Sequence, residues 1–157
     1  MIYLLIITFL IIINLYYIKE QFGRSVKDTQ INNKFIYKKF NNKLIYMRIK
    51  KYYYDILHKW NFVPRMYFDD KRLIIKEDYY KTTLDKSNKP YDYKKQLRNI
   101  HNTIRNAGLF HNDYRVGKHG HLYIKNNKIY LIDYDGLSKH NGLPRNDMEK
   151  IIQKLND

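Results

Sequence analysis

The sequence predicts a mixed α+β domain carried behind one N-terminal membrane-spanning helix. Three observations predict it. Met1 to Ile18 is apolar except for Thr8 and Asn14. Later segments repeat apolar residues at helical spacing. Short apolar runs bounded by polar turns alternate with those segments and read as strands.

Met1 to Ile18 meets the length a spanning helix needs, ~20 residues with a lower bound of about 17. Tyr3, Tyr16 and Tyr17 sit near its ends, where aromatic rings suit the membrane interface. Lys19, Arg24 and Lys27 follow it, and no Lys or Arg precedes it. The positive-inside rule then places the rest of the chain in the cytosol, as a single-pass membrane protein. A cleaved leader would need a positive start and a small-residue cleavage site, and the only alanine is Ala107. A buried core segment is the third reading.

Residues 19–33 are polar and read as a linker. Lys34 to Phe40 reads as a strand, and Asn41-Asn42 as a turn. Ile45, Ile49, Tyr52, Tyr53, Ile56 and Trp60 share a helical face, predicting a helix over Lys43 to Trp60. Arg65 to Phe68 and Leu73 to Glu77 flank Asp69-Asp70-Lys71 as a hairpin. Asp92 opens a second helix through Tyr93, Leu97, Ile100, Ile104 and Ala107, which Gly108 stops. Leu122 to Ile124 and Ile129 to Ile132 form another hairpin. A last helix runs from about Arg145 to Leu155. This order lacks a βαβ rhythm, which excludes a Rossmann sheet.

The chain has 157 residues, no cysteine and a formal net charge of +15. Disulfides and thiolate metal sites are therefore excluded. The charge favours anionic partners. The abundance of Ile, Lys, Asn and Tyr reads as coding bias, so charge alone does not predict nucleic-acid binding.

The chemistry-bearing residues cluster late. His111-Asn112-Asp113 follows the second helix, and the apolar strand Ile129-Tyr-Leu-Ile ends in Asp133-Tyr134-Asp135-Gly136. Phosphoryl transfer needs one carboxylate beside the substrate hydroxyl and another holding Mg²⁺ against the phosphates. These motifs resemble the His-Arg-Asp and Asp-Phe-Gly signatures of the protein-kinase-like superfamily. Phe35-Ile36-Tyr37-Lys38 is similar to that family's Val-Ala-Ile-Lys strand.

The resemblance spans roughly Lys34 to Gly136 and implies a reduced bilobal kinase-like fold over 34–157. Residues 34–78 would be an N-lobe remnant and 79–157 a minimal C-lobe. It implies Asp113 and Arg115 as catalytic residues and Lys38, Glu77 and Lys118 as cofactor-binding residues. Asp133 and His121 become the metal ligands, with ATP and Mg²⁺ as cofactors. The implied reaction moves the ATP γ-phosphoryl group to a hydroxyl on a protein or small molecule.

The pattern departs from the family in three places. No glycine-rich loop precedes Lys38, no glutamate lies on the first helix, and the catalytic-loop asparagine slot is filled by Lys118 or His121. A catalytically inactive module is therefore an alternative. A third reading takes His111-x-Asp113 and His119-x-His121 as a Zn²⁺ or Mn²⁺ hydrolase set.

Overall fold

The computed structural model describes residues 26–111, 114–118, 120–139 and 147–157. Strands β1 (Val26–Ile31), β2 (Phe35–Phe40), β3 (Met66–Asp69) and β4 (Ile74–Asp78) form an antiparallel sheet of order β1-β2-β4-β3. Helix α1 (Lys43–Asp55) and a 3₁₀ turn, Leu57–Lys59, lie between β2 and β3. A second sheet orders β5 (Thr82–Thr83), β7 (Leu122–Lys125) and β8 (Lys128–Leu131) as β5-β7-β8. Strands β6 (Leu109–His111) and β9 (Leu137–Lys139) pair separately. Helix α2 is Tyr93–Asn106 and helix α3 is Asp147–Asn156.

Local chemistry explains the element ends. Asn42 caps α1, its Oδ1 accepting from the amides of Leu44 at 2.9 Å and Ile45 at 3.3 Å. The helix stops at Asp55 rather than at the predicted Trp60, because Ile56 leaves helical geometry with φ −146°. The 3₁₀ turn that follows buries Leu57 completely. Gly108 follows α2 with φ 69°, as a left-handed helix stop requires. Asn126 and Asn127, with φ of 49° and 61°, make the two-residue turn of the β7–β8 hairpin.

The residues expected to be a linker include β1. Its side chains are mostly exposed, so no apolar alternation marks it in the sequence. The loop before β2 fixes it. Asn32 Oδ1 accepts from the amides of Lys34 at 2.9 Å and Phe35 at 2.8 Å, turning the chain back for pairing.

The bilobal kinase-like fold is not what the described residues show. They build a small mixed fold of three helices and nine strands in antiparallel sheets. One continuous apolar core runs from Phe40 and Ile45 through Leu97, Ile104 and Leu131 to Ile152 and Leu155. A division at residue 78 would separate side chains that pack together. The Leu131 amide also donates to the Phe62 carbonyl across that division, at 3.0 Å.

The membrane placement is likewise corrected. Met1 to Ile18 lies outside the described residues. Among those described, no helix is long and apolar enough to cross a membrane. The longest, α2, has 14 residues and a polar face, against the ~20 apolar residues a span requires. The single-pass topology and cytosolic orientation are therefore not supported.

Candidate functional site

Strand alternation puts Ile36, Lys38 and Phe40 on the inner face of β2. Register places Ile36 opposite Glu77 and Lys38 opposite Ile75, so Lys38 and Glu77 are diagonal neighbours on one face. The Lys38 Nζ lies 2.8 Å from Glu77 Oε1, and the side chains are only 12% and 2% exposed. Phe40, Ile49, Met66 and Ile75 complete the apolar floor beneath the pair.

Asp133 reaches the same ammonium from the far end of the chain. Its left-handed backbone, φ 69° and ψ 65°, breaks the run of β8 and starts the 3₁₀ turn Tyr134–Gly136. This geometry is uncommon for a non-glycine residue. Asp133 Oδ1 lies 3.4 Å from Lys38 Nζ, and the side chain is 30% exposed. The fully buried His111 supports the kink. Its Nε2 lies 3.0 Å from the Asp133 carbonyl, an acceptor, so Nε2 carries the proton and donates. The His111 ring stacks on Tyr114 at 5.1 Å and meets Tyr134 edge-on at 5.9 Å.

His121 closes the other side. Its Nε2 is 3.3 Å from Asp133 Oδ2 and 3.2 Å from Arg115 Nη2. One ring nitrogen cannot donate to the carboxylate and accept from the guanidinium at once, so its protonation selects between them. A polar chain thus runs Arg115, His121, Asp133, Lys38, Glu77.

These contacts shift the charges. Burial pushes the Lys38 pKa down, but Glu77, Asp133 and Asp135 outweigh it and hold the ammonium above its ordinary range. Burial pushes Asp133 up, but Lys38 and His121 win and lower it to about 2 from 3.8. A depressed carboxylate pKa gives stability that is present above pH 3.8 and lost as pH falls toward 2. At 1.36 kcal/mol per unit, that is about 2 kcal/mol. Urea midpoints measured from pH 5 to 2 are expected to fall through this window, and Asp133→Asn is expected to flatten that part of the profile. An unchanged slope in the variant would remove Asp133 as the source.

Not every sequence-predicted residue joins the cluster. Lys38, Asp133 and His121 do, and Arg115 touches it through His121. Glu77 does too, as the counter-ion of Lys38. Lys118 lines a different cleft with Arg115 and Lys154. Asp113 and His119 lie outside the described residues. Sequence reasoning missed Arg48, whose Nη2 donates to the Asp135 carbonyl at 2.8 Å and ties α1 to the turn after Asp133. It also missed Glu77 as the ion-pair partner. The available signal was the Ile75-x-Glu77 alternation on the strand beside Lys38.

Among the described residues no group of three or more His, Asp or Glu could hold a metal ion. Mg²⁺ does not need such a cage, since one or two carboxylates, water and substrate phosphates suffice. Asp133, with Asp135 beside it in the turn, fits that reduced requirement. The hollow between Lys38, Glu77, Asp133 and Asp135 is only about 10 Å³, room for one water.

No protein-family model, curated protein or solved structure matches the chain.

Proposed function

We propose that the cluster is the phosphate-handling site of an ATP-dependent phosphotransferase acting on a hydroxyl. One observation carries this reading. Lys38 and Asp133, separated by 95 residues, meet at 3.4 Å, with Glu77 buried behind the lysine. A fixed ammonium and a fixed carboxylate on adjoining elements are what nucleotide phosphates and their magnesium require.

In this reading Lys38 holds phosphate oxygens and Asp133 would hold Mg²⁺, which supplies charge neutralisation when bound. Asp113 orients the acceptor hydroxyl and takes its proton as the oxygen bonds to the γ-phosphorus and the bond to ADP breaks. Arg115 offers a cation near the transferring group. His121 sets the position of the Asp133 carboxylate.

Full-length protein is expected to melt higher with Mg·ATP. At a hundredfold excess over Kd the gain is about 2.7 kcal/mol, and each kcal/mol moves Tm by roughly 2–4 °C. Asp133→Ala is expected to abolish the shift. A full shift in the variant would reject Asp133 as the magnesium ligand.

A second reading, a module without turnover, is favoured by the departures in the sequence: no glycine-rich loop precedes Lys38, and Lys118 or His121 stands where the kinase pattern has asparagine. It predicts nucleotide binding without transfer to any acceptor.

A further inference from the structure

The turn that carries Asp133 is held from both ends by side chains. Asp133 adopts φ 69° and ψ 65°, a left-handed backbone that a non-glycine residue keeps only where its surroundings impose it. His111 takes the Asp133 carbonyl at 3.0 Å. Arg48 takes the other end, its Nη2 donating to the Asp135 carbonyl at 2.8 Å. Between them the Leu137 amide closes the 3₁₀ turn on the Tyr134 carbonyl.

Arg48 comes from α1, and α1 is firmly seated. Its inner residues Ile45, Tyr46 and Ile49 are buried. The Tyr46 hydroxyl donates to Asp70 Oδ1 in the β3–β4 turn at 2.7 Å. The helix supplies no glutamate to Lys38, whose partner Glu77 stands on β4 instead. Its polar link to the site is therefore a cation on a backbone carbonyl. For stability alone this link is costly. The Arg48 Nε is buried with no hydrogen-bond partner, and among the described residues the guanidinium forms no ion pair. Burying a charged group against one neutral carbonyl gives poor compensation for the water it loses. An apolar side chain would fill the space of its stem without that loss.

We propose that Arg48 is a positioning residue of the phosphate site, locking to α1 the turn that carries Asp133. The consequence for function rests on the phosphotransferase reading, in which Asp133 would take magnesium. Arg48 touches neither metal nor nucleotide in this role. It acts through the Asp135 carbonyl, two residues past the carboxylate it keeps in place.

Two measurements on the full chain test the lock. The first uses protein without ligand. Amide hydrogen exchange at Leu137 is expected to quicken about tenfold in Arg48→Met, as loss of one charged hydrogen bond allows. Exchange at Ile104 in α2 is expected to stay the same. Unchanged Leu137 exchange would overturn the proposal, and so would an equal rise at Ile104, which would mean general loosening. The second is calorimetric titration with Mg·ATP. Arg48→Met is expected to weaken binding about tenfold. Arg48→Lys keeps a donor and is expected to recover most of that loss. Lys51→Met, on the exposed face of α1, is expected to bind as wild type does. The urea midpoint of Arg48→Met is expected to stay near the wild-type value, because removing an unpaired buried N–H offsets the carbonyl's lost donor. A lowered midpoint with unchanged Mg·ATP affinity would make Arg48 a purely structural tie and overturn the proposal. Faster Leu137 exchange in Arg48→Met, together with no Mg·ATP binding by wild type, would leave the lock standing and remove the phosphotransferase reading.

Discussion

Lys38→Met is expected to destabilise the protein by roughly 3–5 kcal/mol, the loss seen when one partner of a buried ion pair is removed. Glu77 is 2% exposed and lies over Phe40, Met66 and Ile75, so it would keep a charge with neither water nor a counter-ion. Asp133 would lose its ion pair with Lys38 as well. The size of the effect comes from the stranded carboxylate, not from the missing methylenes, because Met fills similar space. The double variant Lys38→Met with Glu77→Leu is therefore expected to recover most of the loss, since apolar replacement of a whole buried pair is often neutral or stabilising. Urea denaturation of the three proteins measures both steps. A single-variant loss below about 1 kcal/mol would show that Glu77 reaches solvent and is not held by Lys38 alone.

Asp113→Asn is expected to lower phosphoryl transfer by about 10²–10⁴-fold while leaving the Mg·ATP melting shift intact. The asparagine keeps the shape of the side chain and removes its basicity. Asp113 follows His111 by two residues, and His111 is tied to the Asp133 carbonyl at 3.0 Å. His111 is therefore fixed relative to the proposed magnesium ligand. Transfer from ATP to generic hydroxyl acceptors, and autophosphorylation, reads out the effect. Wild-type turnover in the variant would reject Asp113 as the base. Absence of transfer from wild-type protein that binds Mg·ATP would move the assignment to the inactive module.

The helices were legible because their signal is local. Leu97, Ile100 and Ile104 repeat at the period of a helix, and all three are buried in α2. The β3–β4 and β7–β8 hairpins were legible from turn residues between apolar runs, and each appears within about a residue or two of its expected place. Strand β1 was not legible, because its polar side chains face solvent and its pairing comes from the turn at Asn32. The end of α1 was misread because Ile56 and Trp60 continue the apolar spacing while the backbone changes to a 3₁₀ turn.

The sequence alone singled out Lys38 on a strand and Asp133 at the end of another, because each sits in a short motif with a chemical reason. Only the tertiary structure decided that they meet, that Glu77 rather than a residue of α1 answers the lysine, and that one core unites the two halves. It also separated Lys118 from the cluster and joined it to Lys154 across the cleft. Periodicity and turn chemistry act over a few residues and are written in the chain. The ion pairs depend on strand register and on burial, which lowers the dielectric around charges brought together from distant positions. Those conditions exist only once the sheet, α1 and the kink at Asp133 have assembled.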